Sequence, residues 1–215
     1  MDFDQSETSL EVTRWARRVI ASSLIFACLG LSPQPAAQTS PSEEGHDPNY
    51  TGRYPNYDYG YDILLPKGVV AIGNRAPNPN HGFGIDLDAP SRFGADWPEK
   101  EPAAFIWADA SYDASERGTL TRVVGYQLQV AKERVKGFLL LRRSPARLDS
   151  LPAVRILFRH RKDEQTVIEE QVVAIRRGAG IVYTIGLITS PTRYTADKRL
   201  YEEVVKGFRL RPVPR

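Results

Sequence analysis

At 215 residues, 41% hydrophobic and 26% charged, the chain has the size and composition of one globular domain with additional ends. That composition excludes a collagen-like, low-complexity or multi-span membrane chain. The net charge of +3 is unevenly placed: residues 38–117 carry six basic against thirteen acidic side chains, and residues 118–215 carry twenty against nine. A basic half of this kind points to an acidic partner or an anionic membrane surface, unless the two halves pair with each other inside one domain.

Residues 1–37 read as a secretory signal region. Arg14, Arg17 and Arg18 form a basic n-region, and Val19 to Leu31 is an apolar h-region of thirteen residues, too short for the roughly 20 that span a bilayer. The chain's one cysteine, Cys28, lies inside it. Ile25-Phe26-Ala27-Cys28 is similar to a bacterial lipobox, with bulky Phe26 where a small residue is usual; cleavage near Ala36 or Ala37 is the alternative. The expectation is an exported, periplasmic protein, cleaved or lipid-anchored through Cys28. Its folded part holds no thiol, hence no disulfide, thiolate metal site or cysteine nucleophile.

Residues 38–56, rich in Ser, Pro, Glu, Gly and Asn, read as a flexible linker ahead of a single domain over 57–215. Five tyrosines follow closely: Tyr50, Tyr54, Tyr57, Tyr59 and Tyr61. The last three share a parity and read as one face of a first strand, whereas Tyr50 and Tyr54, in the linker, are open to an aromatic docking role. Asp62 to Gly73 reads as strand, turn and strand, and the prolines of 74–82 make that segment a loop. Gly82 to Leu87 reads as a strand, and so does Phe105 to Ala108. Thr119 is the expected cap of a helix over 119–136 with apolar Leu120, Val123, Val124, Leu128, Ala131 and Val135. Phe138 to Leu141, a continuous apolar run, has the pattern of a central strand.

The last third is the most regular. Val154, Ile156 and Phe158 alternate with arginines along one strand, 166–175 forms a second, and Ile181, Tyr183, Ile185 and Leu187 alternate along a third. The polar turn at 162–165 and the glycine-bearing loop at 177–180 are short, so these strands are antiparallel neighbours. Thr195 is a candidate N-cap of a helix over 195–206 that places Leu200, Tyr201, Val204 and Val205 on one stripe, with Phe208-Arg209-Leu210 as a closing strand.

A strand ending in YTIGL, a loop, a helix carrying LYEEVVKGF and a short last strand resemble the PsbP-like superfamily over roughly Tyr59 to Pro212. That group includes the extrinsic photosystem II subunit, a Ran-binding nuclear protein and bacterial DcrB-type envelope proteins. YDILLPKG matches its first strand and turn, although Val69 and Val70 stand where a tryptophan is usual and Ser150 where a glycine is common. The resemblance implies an α+β fold, an α/β/α sandwich whose central antiparallel sheet is flanked by helices, and a role in binding rather than catalysis.

Candidate site residues follow from chemistry. His81 sits at a loop-to-strand junction upstream of Asp86 and Asp88, and histidine with carboxylates ligates metal or exchanges protons. No second histidine stands at ligand spacing, and Asn80-His81-Gly82 is ordinary turn chemistry. His46 is in the linker, and His160 is expected to be solvated at a strand end. Asp109, Asp113 and Glu116 read as charge gathered before a helix, without the spacing of a calcium loop. Arg155, Arg159 and Arg161 form a candidate basic face. With no nucleophile elbow, phosphate loop, dinucleotide fingerprint or RNA-reading motif, no cofactor or nucleic acid is expected. The expected function is noncatalytic docking onto another envelope component, with Tyr54, His81, Asp86, Asp109 and the three arginines as binding candidates. The alternative is a metal-dependent binder or enzyme around His81.

Overall fold

The computed structural model describes residues 49–73, 80–92, 102–112 and 118–212. The strands are β1 (Asn49–Thr51), β2 (Arg53–Asn56), β3 (Tyr61–Leu64), β4 (Val70–Gly73), β5 (Gly82–Asp86), β6 (Phe105–Tyr112), β7 (Lys136–Leu148), β8 (Leu151–Lys162), β9 (Gln165–Arg176), β10 (Ile181–Thr189) and β11 (Phe208–Leu210). Two helices accompany them, α1 (Leu120–Arg134) and α2 (Tyr194–Gly207). Eight strands form one antiparallel sheet in the order β1-β4-β5-β6-β10-β9-β8-β7, and three form a second in the order β11-β3-β2. The acidic half of the chain supplies one wing of the large sheet and the basic half the other, meeting where β6 pairs β10.

Local chemistry fixes the hairpins. Asp163 and Glu164, at φ 47° and 65°, turn β8 into β9 in the left-handed conformation that suits a two-residue hairpin. Gly180, at φ 63°, follows the one-turn 3-10 helix Arg177–Ala179 and opens β10. Every residue of β10 is buried, as expected of a strand with neighbours on both edges and cover on both faces.

One face of the large sheet carries the main core. Val172, Ala174, Tyr183, Ile185 and Leu187 pack there against Tyr201, Val204 and Val205 of α2, Phe208 of β11, and Tyr54, Tyr61 and Ile63 of the small sheet. That layer is thus a helix and a three-stranded sheet together, where the sequence implied helices alone. On the opposite face, Val123 and Val124 of α1 cover Ile156, Phe158, Val173, Ile175 and Val182. Phe105, Trp107, Val167 and Ile188 form a smaller cluster beside it. Gly186 is required here, because a Cβ at that position would overlap the Trp107 ring.

Several elements differ from expectation. β1 and β2 lie inside the stretch read as linker, because Asn49–Thr51 pairs β4 and Tyr54 is driven into the core. Tyr57, Tyr59 and Tyr61 do not share a strand: the chain turns at 57–60, leaving Tyr57 exposed while Tyr59 and Tyr61 are buried. Thr195 is no cap; the helix begins at Tyr194, and Asp197 in its first turn accepts from the Thr189 hydroxyl at 2.5 Å. β7 is an edge strand, so its apolar run lacks the second neighbour of a central strand. Thr119 does cap α1, accepting from the Arg122 amide at 3.4 Å, and Lys132 and Arg134 occupy the last turn, where the helix dipole favours cations. Cys28 and His46 lie outside the described residues.

Candidate functional site

Two places gather the candidate residues. The first is a corner of tyrosines, asparagines and one histidine that ties the small sheet to the large one. Tyr54, fully buried, donates to the Asn80 side-chain carbonyl, and Asn56 donates to Tyr54 Oη at 3.2 Å and to the Asn80 carbonyl at 2.7 Å. His81 Nδ1 lies 2.7 Å from Tyr59 Oη and 2.9 Å from the Ala110 carbonyl. Tyr61 donates to the His81 carbonyl at 3.3 Å, and Tyr183 to the Tyr59 carbonyl at 2.8 Å. Burial pushes the hydroxyls of Tyr54, Tyr59 and Tyr61 upward from the ordinary phenol value, so they remain protonated donors. The hydroxyls act as pins between layers, with apolar rings filling the space behind them.

His81 is not brought together with the carboxylates. Asp109 pairs across the ladder with Gly82 and Thr184, so strand alternation sends its side chain to the face away from His81. It lies within β6, not at a helix start, and burial pushes its carboxyl up to about 7. Asp86 is four positions along β5 from Gly82, about 13 Å at strand rise. Its carboxylate accepts from the Asp88 amide at 2.8 Å, and Asp88 pairs Arg193. Asp113 and Glu116 lie outside the described residues. Among the described residues no three His, Cys, Asp or Glu side chains gather in a way that could hold a metal ion.

The second place is the outer wing formed by β7 and β8. The three candidate arginines of β8 share a parity but not an environment. Arg155 is largely buried and donates to Glu170 at 2.7 Å and to both carboxylate oxygens of Glu202, at 2.5 and 2.9 Å. Glu170, with no exposed side chain, also receives Tyr194 Oη at 2.5 Å and Lys198 Nζ at 2.9 Å. Burial alone would raise the Glu170 carboxyl; bonds from Tyr194, Arg155 and Lys198 outweigh it and hold the group below the usual range. This cluster fastens α2 to the sheet, so Arg155 is not available to a partner. Arg161 reaches Glu164 at 2.5 Å on the surface. Arg159 is exposed and makes no ion pair among the described residues.

Sequence reasoning missed the rest of this wing. β7 reads KGFLLLRRSPARL, with four basic residues and no acidic one. Arg143 is exposed without an ion pair among the described residues, and Arg142 has only a 3.9 Å approach to Glu170. The missed signal is the flanking of the leucines by Lys136, Arg142 and Arg143, where turn residues would be expected to bound a buried strand. His160 is corrected too: in phase with Ile156 and Phe158, it is buried, with Nε2 3.0 Å from Glu169.

No family model matches the chain, and no curated protein does. Solved structures do. CyanoP, the cyanobacterial PsbP of Synechocystis sp. PCC 6803, is similar at 19% identity over 80% of this chain and 98% of that one, with a TM-score of 0.48. The Ran-binding protein Mog1p of Saccharomyces cerevisiae is similar at 12% identity over 77% of this chain and 96% of that one, with a TM-score of 0.48. LpqN, involved in cell envelope biogenesis of Mycobacterium tuberculosis, is similar at 16% identity over 77% of this chain and 99% of that one, with a TM-score of 0.52. The likeness to LpqN is one of architecture, and by that architecture the chain has the PsbP-like fold.

Proposed function

We propose that the chain is a noncatalytic, exported envelope protein that docks onto another envelope component through the β7–β8 wing. One observation carries the docking surface: Arg143 and Arg159 are exposed without an ion pair among the described residues, on a wing whose edge strand has no acidic side chain. Fixed, unneutralised charge on one side of a molecule attracts an oppositely charged partner and orients it. Export is supported by the order of basic and apolar segments before Gln38, with cleavage near Ala37 or lipidation at Cys28 as the step that frees or anchors the domain. The involvement of LpqN in cell envelope biogenesis agrees with that compartment. The tyrosine corner supports the reading by contrast, since its hydroxyls are spent on internal bonds.

Site-specific photo-crosslinking in cells tests this reading. A crosslinker replacing Arg159 is expected to capture an envelope component, and one replacing Tyr57, exposed at the tyrosine corner, is expected to capture none. Capture from position 57 alone would place the docking surface at the wrong end.

A further inference from the structure

We propose that β7 seats edge-first on an anionic lipid surface, with Leu139, Leu140 and Leu141 entering the interfacial layer and Lys136, Arg142 and Arg143 reaching lipid phosphates. The inference rests on the docking reading above and names the partner of that same wing.

The leucines are the first observation. Leu139, Leu140 and Leu141 are 46%, 41% and 46% exposed, whereas the large apolar side chains exposed on other described strands, Leu64 of β3 and Tyr112 of β6, stand singly. Exposed leucines singly are unremarkable, but three in succession on one edge form a continuous apolar rim. Their register decides what covers them. Leu139 stands opposite Arg159 and Leu140 opposite Phe158, which place them on opposite faces of the sheet, and Leu141 sits in the irregularity between Leu140 and Arg142. A flat protein surface packed against either face leaves part of the rim in water. A fluid interface that closes around the edge from both sides covers all of it.

The charges follow the same geometry. Arg142 stands opposite Leu157 and Arg143 opposite Ile156, so two cations flank the rim on opposite faces. Lys136 begins the strand, and Lys132 and Arg134 end the helix that leads into it. An apolar rim bordered by basic side chains is the combination that holds peripheral proteins on anionic membranes, through apolar burial and attraction to acidic headgroups.

Other occupants fit less well. A second copy of β7 laid against the first would bring eight basic side chains together with no acidic one, since each copy carries four. Addition of a foreign strand is opposed by Pro145, which has no amide to donate, and by two register shifts, between Lys136 and Leu139 and between Leu140 and Arg142. These are the features by which exposed sheet edges avoid strand pairing.

The test uses the full chain carrying Cys28→Ser and Leu140→Cys, with a polarity-sensitive fluorophore on the single remaining thiol. Because the label reports only its own surroundings, binding by the apolar segment at 19–31 does not mimic the signal. Vesicles of equal parts phosphatidylglycerol and phosphatidylcholine are expected to shift the label's emission to the blue, and phosphatidylcholine vesicles to leave it unchanged. Adding Arg142→Glu and Arg143→Glu is expected to weaken the response by roughly tenfold or more, since each basic side chain near an anionic surface contributes about a fivefold factor. Leu140, Arg142 and Arg143 are exposed, so matching thermal melts serve as the folding control. No shift with either vesicle, or an equal shift with both, overturns the proposal. If the label stays silent while a crosslinker at position 159 still captures an envelope protein, the lipid assignment falls and the docking reading stands. Loss of both signals removes the wing altogether.

Discussion

Phe208→Ala is expected to cost about 3–5 kcal/mol of folding stability, the range for truncating a large aromatic side chain in a packed core. Phe208 is 1% exposed and is the first residue of β11, where α2 hands the chain to the small sheet. Its ring stacks on Tyr61 at 5.4 Å and meets Tyr183 edge-on at 5.3 Å, so one side chain touches both sheets. The void cannot collapse easily, because Gly207 just before it is held against the Leu64 carbonyl too closely to admit even a Cβ. Equilibrium denaturation of the purified protein measures the loss. A change below about 1 kcal/mol, the scale of surface substitutions, would contradict the packing described for both sheets.

Glu170→Ala is expected to cost about 3 kcal/mol, for a different reason. Removing the buried carboxylate takes an acceptor from Arg155, Lys198 and Tyr194 at once, and truncating one member of a buried charge cluster is costlier than the cluster itself is favourable. Lys198 would retain a 3.8 Å approach to Glu202, and Arg155 would keep its two bonds to Glu202, while the Tyr194 hydroxyl would lose its carboxylate acceptor. Glu170→Ala combined with Lys198→Ala should therefore cost less than the two changes summed. The sign with pH follows from the lowered carboxyl: the stabilisation is fully present above the ordinary value of 4.5 and is lost as pH falls through the depressed one. The penalty of the substitution should shrink in that acid range. A penalty below about 0.5 kcal/mol at neutral pH, or strict additivity with Lys198→Ala, would mean that the cluster behaves as a solvated surface network.

Much of the fold was legible where alternation and turn chemistry agreed. The hairpins of β8, β9 and β10 and the stripe of α2 fall as the periodicity predicts, because β-rich runs between short turns and an i, i+4 stripe are local patterns, even where β9 and β10 are buried on both faces. The errors share a cause: they concern residues whose surroundings are supplied by distant chain. Tyr54 is indistinguishable from a linker residue until β3 pairs its strand and Tyr61 and Phe83 pack on its ring. His160 keeps the phase of a core position, but that it is buried depends on Glu169 from the next strand. Leu139 to Leu141 have the composition of a central strand, and only the strand order puts them at an edge.

The candidate site was legible only in outline. The charge asymmetry separated the two halves of the chain, and the strands of the basic half lie together as one wing of the sheet. Which arginines belong to a surface was not legible, because Arg155 and Arg159 look alike along β8. Alternation puts both on one face, and the difference between them is made by Glu170 from β9 and Glu202 from α2, neither of which a local pattern reports.

Docking through the unneutralised charges of the β7–β8 wing is tested most directly by retention on envelope membranes across a salt series. The full chain is mixed with a washed envelope fraction and its bound share measured, beside a variant carrying Arg142→Glu, Arg143→Glu and Arg159→Glu. Attraction between exposed charges is screened over about 8 Å at physiological ionic strength and over shorter distances above it. The unmodified protein should be retained at low salt and released as salt rises, and the variant should be released throughout while keeping the unmodified protein's melting temperature. Retention indifferent both to salt and to the three reversals would contradict docking through this wing.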